Sequence, residues 1–398
     1  MGLEKRDTMV SGQRQSNMEL LRIVAMFCIV CFHCAYKSGI PITDFTANTF
    51  AVKSMWYLGE LGVNLFMLVT GYFMVTGRFR GSRLILLVCQ VLFYWLGTMV
   101  FGCLIGVYTL PTGIKAFIRL FFPTLLGSYW YVTAYVVIYV LSPWINRFVI
   151  AMSQKMLLAF ILVMLFLYSV IPTLFGFLGA PVEGMLSYTR LVWLFIVYLT
   201  GAYLRLYPLR SFAKGSRVPW VVVGVSLGCM LGFTMLVGAF GSFFGELGIK
   251  EWAYFWPPNT VPMMALSIGV FALFSNLCIP PNRVINRTAS ATLGVYLFHD
   301  SILQGFIWKD AVGAAEFVDG PLLIPVMLFG VVCVYVAGTI IDLLRQLLES
   351  ATIRPMLRSD WWQAFSVRLS GRISTALDRW IEAEHRMDSH SKQGSCEK

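Results

Sequence analysis

Arg22 and His33 lie in the first apolar segment of the chain, which runs Glu19-Leu20-Leu21-Arg22, then ten mostly apolar residues, then His33. Ionisable side chains are costly at membrane depth, so each one there is first read as functional. On a helix the two side chains point within ~20° of each other and stand ~16 Å apart along the axis. A neutral imidazole is suited to removing a hydroxyl proton. A guanidinium fork matches the oxygens of a phosphate in pairs. One helix face would then carry a fixed cation near one membrane surface and an acid/base group deep inside.

Two other groups have the same chemical character. Arg78, Arg80 and Arg83 follow the second apolar segment, and Arg80-Gly-Ser-Arg83 would set two guanidiniums one helical turn apart. With Arg22 on the same side they make a phosphate-binding patch, or they simply mark the cytoplasmic face. His299, in Gly294-Val-Tyr296-Leu-Phe-His299-Asp300, is either a second polar site residue or a helix-packing hydrogen bond. Of the nine cysteines, Cys28, Cys31 and Cys34 flank His33. Metal sites of that type are built mostly on loops and turns, so we expect no metal here and no disulfide framework.

The elements that must position these residues follow from composition. The chain is 58% hydrophobic and 13% charged, against roughly 25% charged for a soluble domain. Apolar runs near bilayer length recur throughout, so the expected fold is an all-α integral membrane bundle of about ten helices. The spans are expected at 18–36, 58–76, 84–106, 129–148, 157–178, 190–207, 219–240, 259–278, 291–308 and 321–347. No cleavable signal peptide is expected. With both termini cytoplasmic, 24 of the 31 Lys and Arg fall inside and seven outside, as the positive-inside rule requires. The net charge of +11 then reports topology and contact with anionic lipid, not nucleic acid.

The organisation expected is a cytoplasmic tail over 1–16, a transmembrane domain over 17–348 and a basic, amphipathic cytoplasmic tail over 349–398. Within that tail, 360–386 has the spacing of a helix lying on the inner leaflet, and the last ten residues are expected to be disordered. The outer loop at 241–258 holds Glu246, Glu251, Trp252, Tyr254 and Trp256. These form either an interfacial aromatic belt or a platform on which sugar rings stack. No phosphate-binding glycine loop, dinucleotide fingerprint or Gly-x-Ser-x-Gly elbow is present, which excludes the soluble folds built on them.

Five motifs in order resemble the membrane acyltransferase-3 family, whose members O-acylate cell-surface carbohydrates in bacteria. They are Arg22-x10-His33; the apolar run Gly62-Val-Asn64-Leu-Phe66 ending in Thr70-Gly71-Tyr72; Arg80-x-x-Arg83; Trp130-Tyr131 with Tyr139 and Pro143; and Gly294-Val-Tyr296-Leu-Phe-His299. Thr70 stands where the family usually has Ser. The Glu that many members carry a few residues after the fourth-span Trp is missing from Trp130–Tyr135. The resemblance implies an O-acyltransferase, acetyl by default, of the bacterial plasma membrane. Acyl-coenzyme A would be a cytoplasmic co-substrate rather than a resident cofactor, and a carbohydrate hydroxyl would be the acceptor outside. Arg22, Arg80 and Arg83, with Arg78 beside them, would hold the donor's phosphates. His33 would be the general base, with His299 as a second candidate. Asn64 or Tyr72 would steady the oxyanion or would equally be helix-packing contacts, and Trp130, Tyr131 and Tyr296 are further candidate substrate contacts. A polytopic transporter or flippase for a lipid-linked sugar is the alternative from another class. A noncatalytic partner in glycan assembly is a third.

Overall fold

A computed structural model describes residues 15–77, 79–110, 129–177, 189–247 and 252–362, with the single residues 113, 249, 364 and 368. The described residues are helix, turn and irregular chain, with no strand among them. The long helices are α1 (Ser16–Lys37), α2 (Ala47–Met74), α3 (Gly81–Leu104), α4 (Trp130–Ala151), α5 (Gln154–Leu165), α6 (Arg190–Leu206), α7 (Val218–Ala239), the short α8 (Gly241–Glu246) and α9 (Val261–Ser275). α10 (Arg283–Ser290), α11 (Thr292–His299), α12 (Leu323–Ala351) and α13 (Ile353–Arg358) follow. The basic amphipathic segment expected over 360–386, both expected tails at their extremes, and Arg78 lie wholly or almost wholly outside the described residues.

Among the described residues, six helices are long and apolar enough to cross a membrane: Ser16–Lys37, Gly81–Leu104, Trp130–Ala151, Gln154–Gly176, Val218–Ala239 and Leu323–Ala351. The protein is therefore a multi-pass membrane protein. The other four expected spans are helical but differ in form. α2 carries Lys53, Glu60 and Asn64 along its length. α6 has 17 residues and α9 has 15. The ninth is not one helix. α11 stops at His299, and a separate wide turn spans Phe306–Ala311. Ser301 supplies a local reason, because its Oγ accepts the Leu303 amide hydrogen at 3.2 Å and so competes with helical pairing. Broken backbone is tolerated at membrane depth where it is buried in protein.

Two compact units make up the chain, one ending at Asp342 and the other beginning at Leu343. In the second, Glu349 pairs with Arg345 one turn before it and with Arg354 at 2.7 Å. In the first, α1 lies along α2 and α2 along α6. α2 begins earlier than its apolar run because Thr46 and Thr49 form a reciprocal cap. The α2–α6 crossing depends on small residues. A Cβ at Gly71 would sit 2.1 Å from the Tyr198 carbonyl oxygen, and one at Gly201 2.3 Å from that of Leu68. Backbones that close are the usual mark of tight helix contact in lipid.

Within α4, Pro143 cannot donate to the Tyr139 carbonyl. The Ser142 hydroxyl donates to that carbonyl instead, at 2.7 Å. Asn146 then ties three helices, donating to the Met74 carbonyl and accepting from the Tyr198 hydroxyl, both at 2.7 Å.

Gly201→Ala is expected to destabilise the folded protein by about 1–3 kcal/mol through overpacking. Gly228→Ala, where a Cβ would meet nothing within 4 Å, should leave it unchanged. Thermal unfolding of the two variants in one detergent checks this; equal midpoints would show that the α2–α6 approach is not tight.

Candidate active site

His33 is one of the buried polar residues of α1, and His299 is fully buried at the end of α11. They meet directly: His33 Nδ1 and His299 Nε2 are 2.8 Å apart. The other His299 nitrogen, Nδ1, is 2.6 Å from the Val295 carbonyl oxygen. A carbonyl only accepts, so His299 Nδ1 carries the hydrogen. In the neutral pair, His299 Nε2 is then an acceptor and His33 Nδ1 must donate to it. That leaves His33 Nε2 with an uncommitted lone pair. The main chain of α11 thus selects the tautomer of His299, and through it that of His33. One turn outward the same helices are joined again, by Lys37 donating to Asp300 and to Gln304.

The ninth-span motif explains itself at this point. Gly294 gives way to the Asp342 carboxylate of α12, which would lie 2.3 Å from a Cβ there. Asp342 in turn accepts from Gln90 at 3.0 Å and Tyr94 at 3.1 Å, both on α3. Val295 supplies the carbonyl for His299. Tyr296 lies against His299, with ring centres 6.1 Å apart. Its hydroxyl completes no hydrogen bond of ordinary geometry, with the Asp300 carboxylate and the Tyr131 backbone among the polar groups around it. The Trp308 indole lies 6.1 Å from the His299 ring on another side, and its N–H is also without a hydrogen-bond partner among the described residues. Nothing in the apolar ninth run marked Trp308 beforehand, because its position depends on the break after His299.

Arg22 stands on the same unbroken helix as His33, so the spacing of ~16 Å holds. It pairs with Glu19 at 3.0 Å and keeps its side chain 32% exposed. Arg22 and Arg83 are both within electrostatic reach of Tyr135, and Arg22 also of Tyr131 and Tyr335. The structure thus brings two of the predicted arginines around one tyrosine. Arg80 is held nearby through its main chain. The Tyr139 hydroxyl accepts from the Arg80 amide at 3.0 Å and donates to the Arg80 carbonyl at 3.1 Å, while Tyr139 stacks on Tyr135. Arg80 caps α3 and Arg83 is in its first turn. Cations there oppose the helix dipole, an arrangement an anionic ligand would relieve.

Two candidates do not reach the histidines. Asn64 spends its amide on packing: it donates to the Pro258 carbonyl at 3.0 Å and the Ser267 hydroxyl at 3.2 Å, and accepts from the Trp193 indole at 2.9 Å. Tyr72 is at the far end of α2. Gly59 abuts Phe32, beside His33, and Tyr72 lies thirteen residues further along, ~20 Å by helical rise. Its hydroxyl accepts from Arg205 at 3.3 Å. Asn64 is thus engaged in packing, and Tyr72 lies ~20 Å from the histidines along α2.

Trp130 and Tyr131 part company. Tyr131 belongs to the interior between Arg22 and Tyr296. Trp130 carries the Arg190 guanidinium 4.4 Å above its ring, and Arg190 is within electrostatic reach of Glu60. Glu60 was not among the predicted site residues. Its signal was available as a carboxylate inside the apolar run Leu58-Gly59-Glu60-Leu61. Among the described residues no three His, Cys, Asp or Glu side chains gather as metal ligands.

Comparison with known proteins returns no matching curated protein and no matching solved structure. The family model for the acyltransferase-3 type, described as an acyltransferase domain, matches residues 15–341. That stretch takes in α1 to α11 and α12 as far as Ile341, and with them every motif around the paired histidines. The chain therefore belongs to the membrane acyltransferase-3 family and is an acyltransferase.

Proposed function

We propose that the protein transfers an acyl group, acetyl by default, from cytoplasmic acyl-coenzyme A to a hydroxyl of a cell-surface or lipid-linked carbohydrate. The setting proposed is a bacterial plasma membrane, with ten helical passes and both termini inside. The observation that carries the reading is the His33–His299 pair, which leaves His33 Nε2 as a proton acceptor inside a membrane-embedded bundle.

In this reading Arg22, Arg80 and Arg83 grip the donor's phosphates, a role favoured by their gathering around Tyr135 and Tyr139. The pantetheine arm follows Tyr135, Tyr131 and Tyr296 upward, a contact path from Arg22 to His299. His33 Nε2 takes the proton as the acceptor oxygen attacks the thioester carbonyl. The Trp308 indole N–H, without a hydrogen-bond partner among the described residues, and the Tyr296 hydroxyl, beside the Asp300 carboxylate, are the donors to the oxyanion. The intermediate collapses with cleavage of the carbon–sulfur bond. The His33 imidazolium then returns its proton to the departing coenzyme A sulfur, which restores the enzyme. His299 is a positioning residue, since it acts on substrate only through His33.

The broken ninth helix is also a transporter-like feature. Release of free coenzyme A thiol coupled to ester formation separates the two, because a transporter releases none.

Three outcomes are expected. His33→Ala, at equal membrane levels, should lower ester-linked acyl groups on surface glycans by about 10²–10⁴-fold in initial rate; equal acylation in parent and variant would remove His33 from the chemistry. His299→Gln, whose amide oxygen can still accept from His33 Nδ1, should retain more turnover than His299→Leu, which should lose about tenfold or more. Equal losses in the two would mean His299 serves packing alone. Arg83→Ala should raise the KM for acyl-coenzyme A about tenfold or more while changing kcat less; an unchanged donor KM would sink the phosphate assignment.

A further inference from the structure

Six buried side-chain polar atoms lack a hydrogen-bond partner among the described residues: Trp56 Nε1, Glu60 Oε2, Trp95 Nε1, Trp256 Nε1, Tyr296 Oη and Trp308 Nε1. Buried polar groups are nearly always paired, so a cluster of orphans points to something that would pair them. Tyr296 and Trp308 belong to the surroundings of His299. Trp56, Glu60 and Trp256 belong to a second cluster, on the other flank of His33.

That cluster is built on the outward ends of α1 and α2 and on the chain before α9. Phe32, next to His33, lies 6.0 Å from the Trp256 ring. Trp56 meets Trp256 edge-on at 5.5 Å, and Tyr36 meets Trp56 at 5.1 Å and stacks towards Trp256 at 6.1 Å. Tyr36 is 50% exposed. Lys53 covers one face of Trp56, with its ammonium 3.5 Å from the ring centre. Glu60 is one turn from Trp56 along the same face of α2. The site thus offers aromatic rings, two indole donors and a carboxylate acceptor, one residue away from the histidine with the open lone pair.

We infer that this cluster is the acceptor subsite, and that it holds a pyranose ring. A sugar has apolar C–H faces that lie on aromatic rings. Its hydroxyls both accept and donate, which the two indole N–H groups and the Glu60 carboxylate require together. A lipid acyl chain would leave all three polar atoms unpaired at a cost. The inference rests on the acyl-transfer reading for why the sugar comes there, and it stands or falls separately on whether the sugar binds.

The test uses the full chain in phosphatidylcholine nanodiscs and saturation-transfer NMR with four probes: the methyl glycosides of glucose, galactose, mannose and N-acetylglucosamine. At least one should receive saturation from the parent protein. Trp56→Phe, Trp256→Phe and Glu60→Gln each preserve side-chain bulk, and each should weaken that glycoside about tenfold. No contact from any of the four glycosides, or equal binding by the parent and all three cluster variants, would overturn the subsite. Glycoside binding together with undiminished surface acylation in His33→Ala would instead overturn the catalytic reading and leave the subsite standing.

Discussion

Lipid offers no hydrogen bonds, so every polar side chain carried into the bilayer must find its partner inside the protein. The rest of this structure depends on how α1 and α11 meet that demand. His33 pairs with His299, and one turn outward Lys37 pairs with Asp300. The two contacts hold the short, terminated α11 against a long continuous helix. They also leave the one unshared imidazole lone pair aimed away from the pair. Removing either contact would affect both the assembly of the bundle and the orientation of the imidazole, since the same atoms serve both.

Around that pairing the polar side chains divide by depth. Towards the N-terminal end of α1, arginines from α1 and α3 approach the tyrosine stack of α4, held in register by the Tyr139 clasp on the Arg80 main chain. At the centre are the histidines with Tyr296 and Trp308. Towards the C-terminal end of α1 stand Tyr36, Trp56 and Trp256 with Glu60. The ~16 Å between Arg22 and His33 sets the scale of that order.

Much of this was legible in the chain. Six of the expected spans became long apolar helices within a few residues of their expected limits, because a run of that composition has one good solution in lipid. The Arg22–His33 face was readable because helical geometry alone determines it. Other features depended on contacts that no local pattern encodes. α2 starts eleven residues before its apolar run, at a Thr46–Thr49 cap that lacks the acidic residue usual in such signals. The ninth span broke where Ser301 captured a main-chain amide. Asn64 looked like a free amide in an apolar run, but three partners from distant segments converge on it. Glu60 was passed over because one carboxylate barely dents the hydropathy of a long run, although its cost in the membrane is the same as that of His33 or Arg22.

The bond from His299 to Val295 has a consequence for how this protein can vary. The group that sets the imidazole tautomer is a peptide carbonyl, so no substitution at position 295 can delete it. Position 295 answers only to volume in a closely packed interior, and several branched aliphatics could satisfy it. Position 294 cannot change without displacing the Asp342 carboxylate, and position 299 must keep a ring with two nitrogens. Neighbouring residues of one short helix are therefore free or frozen for different reasons. The proton arrangement of the histidine pair is inherited from the backbone, the part of the molecule that mutation cannot replace.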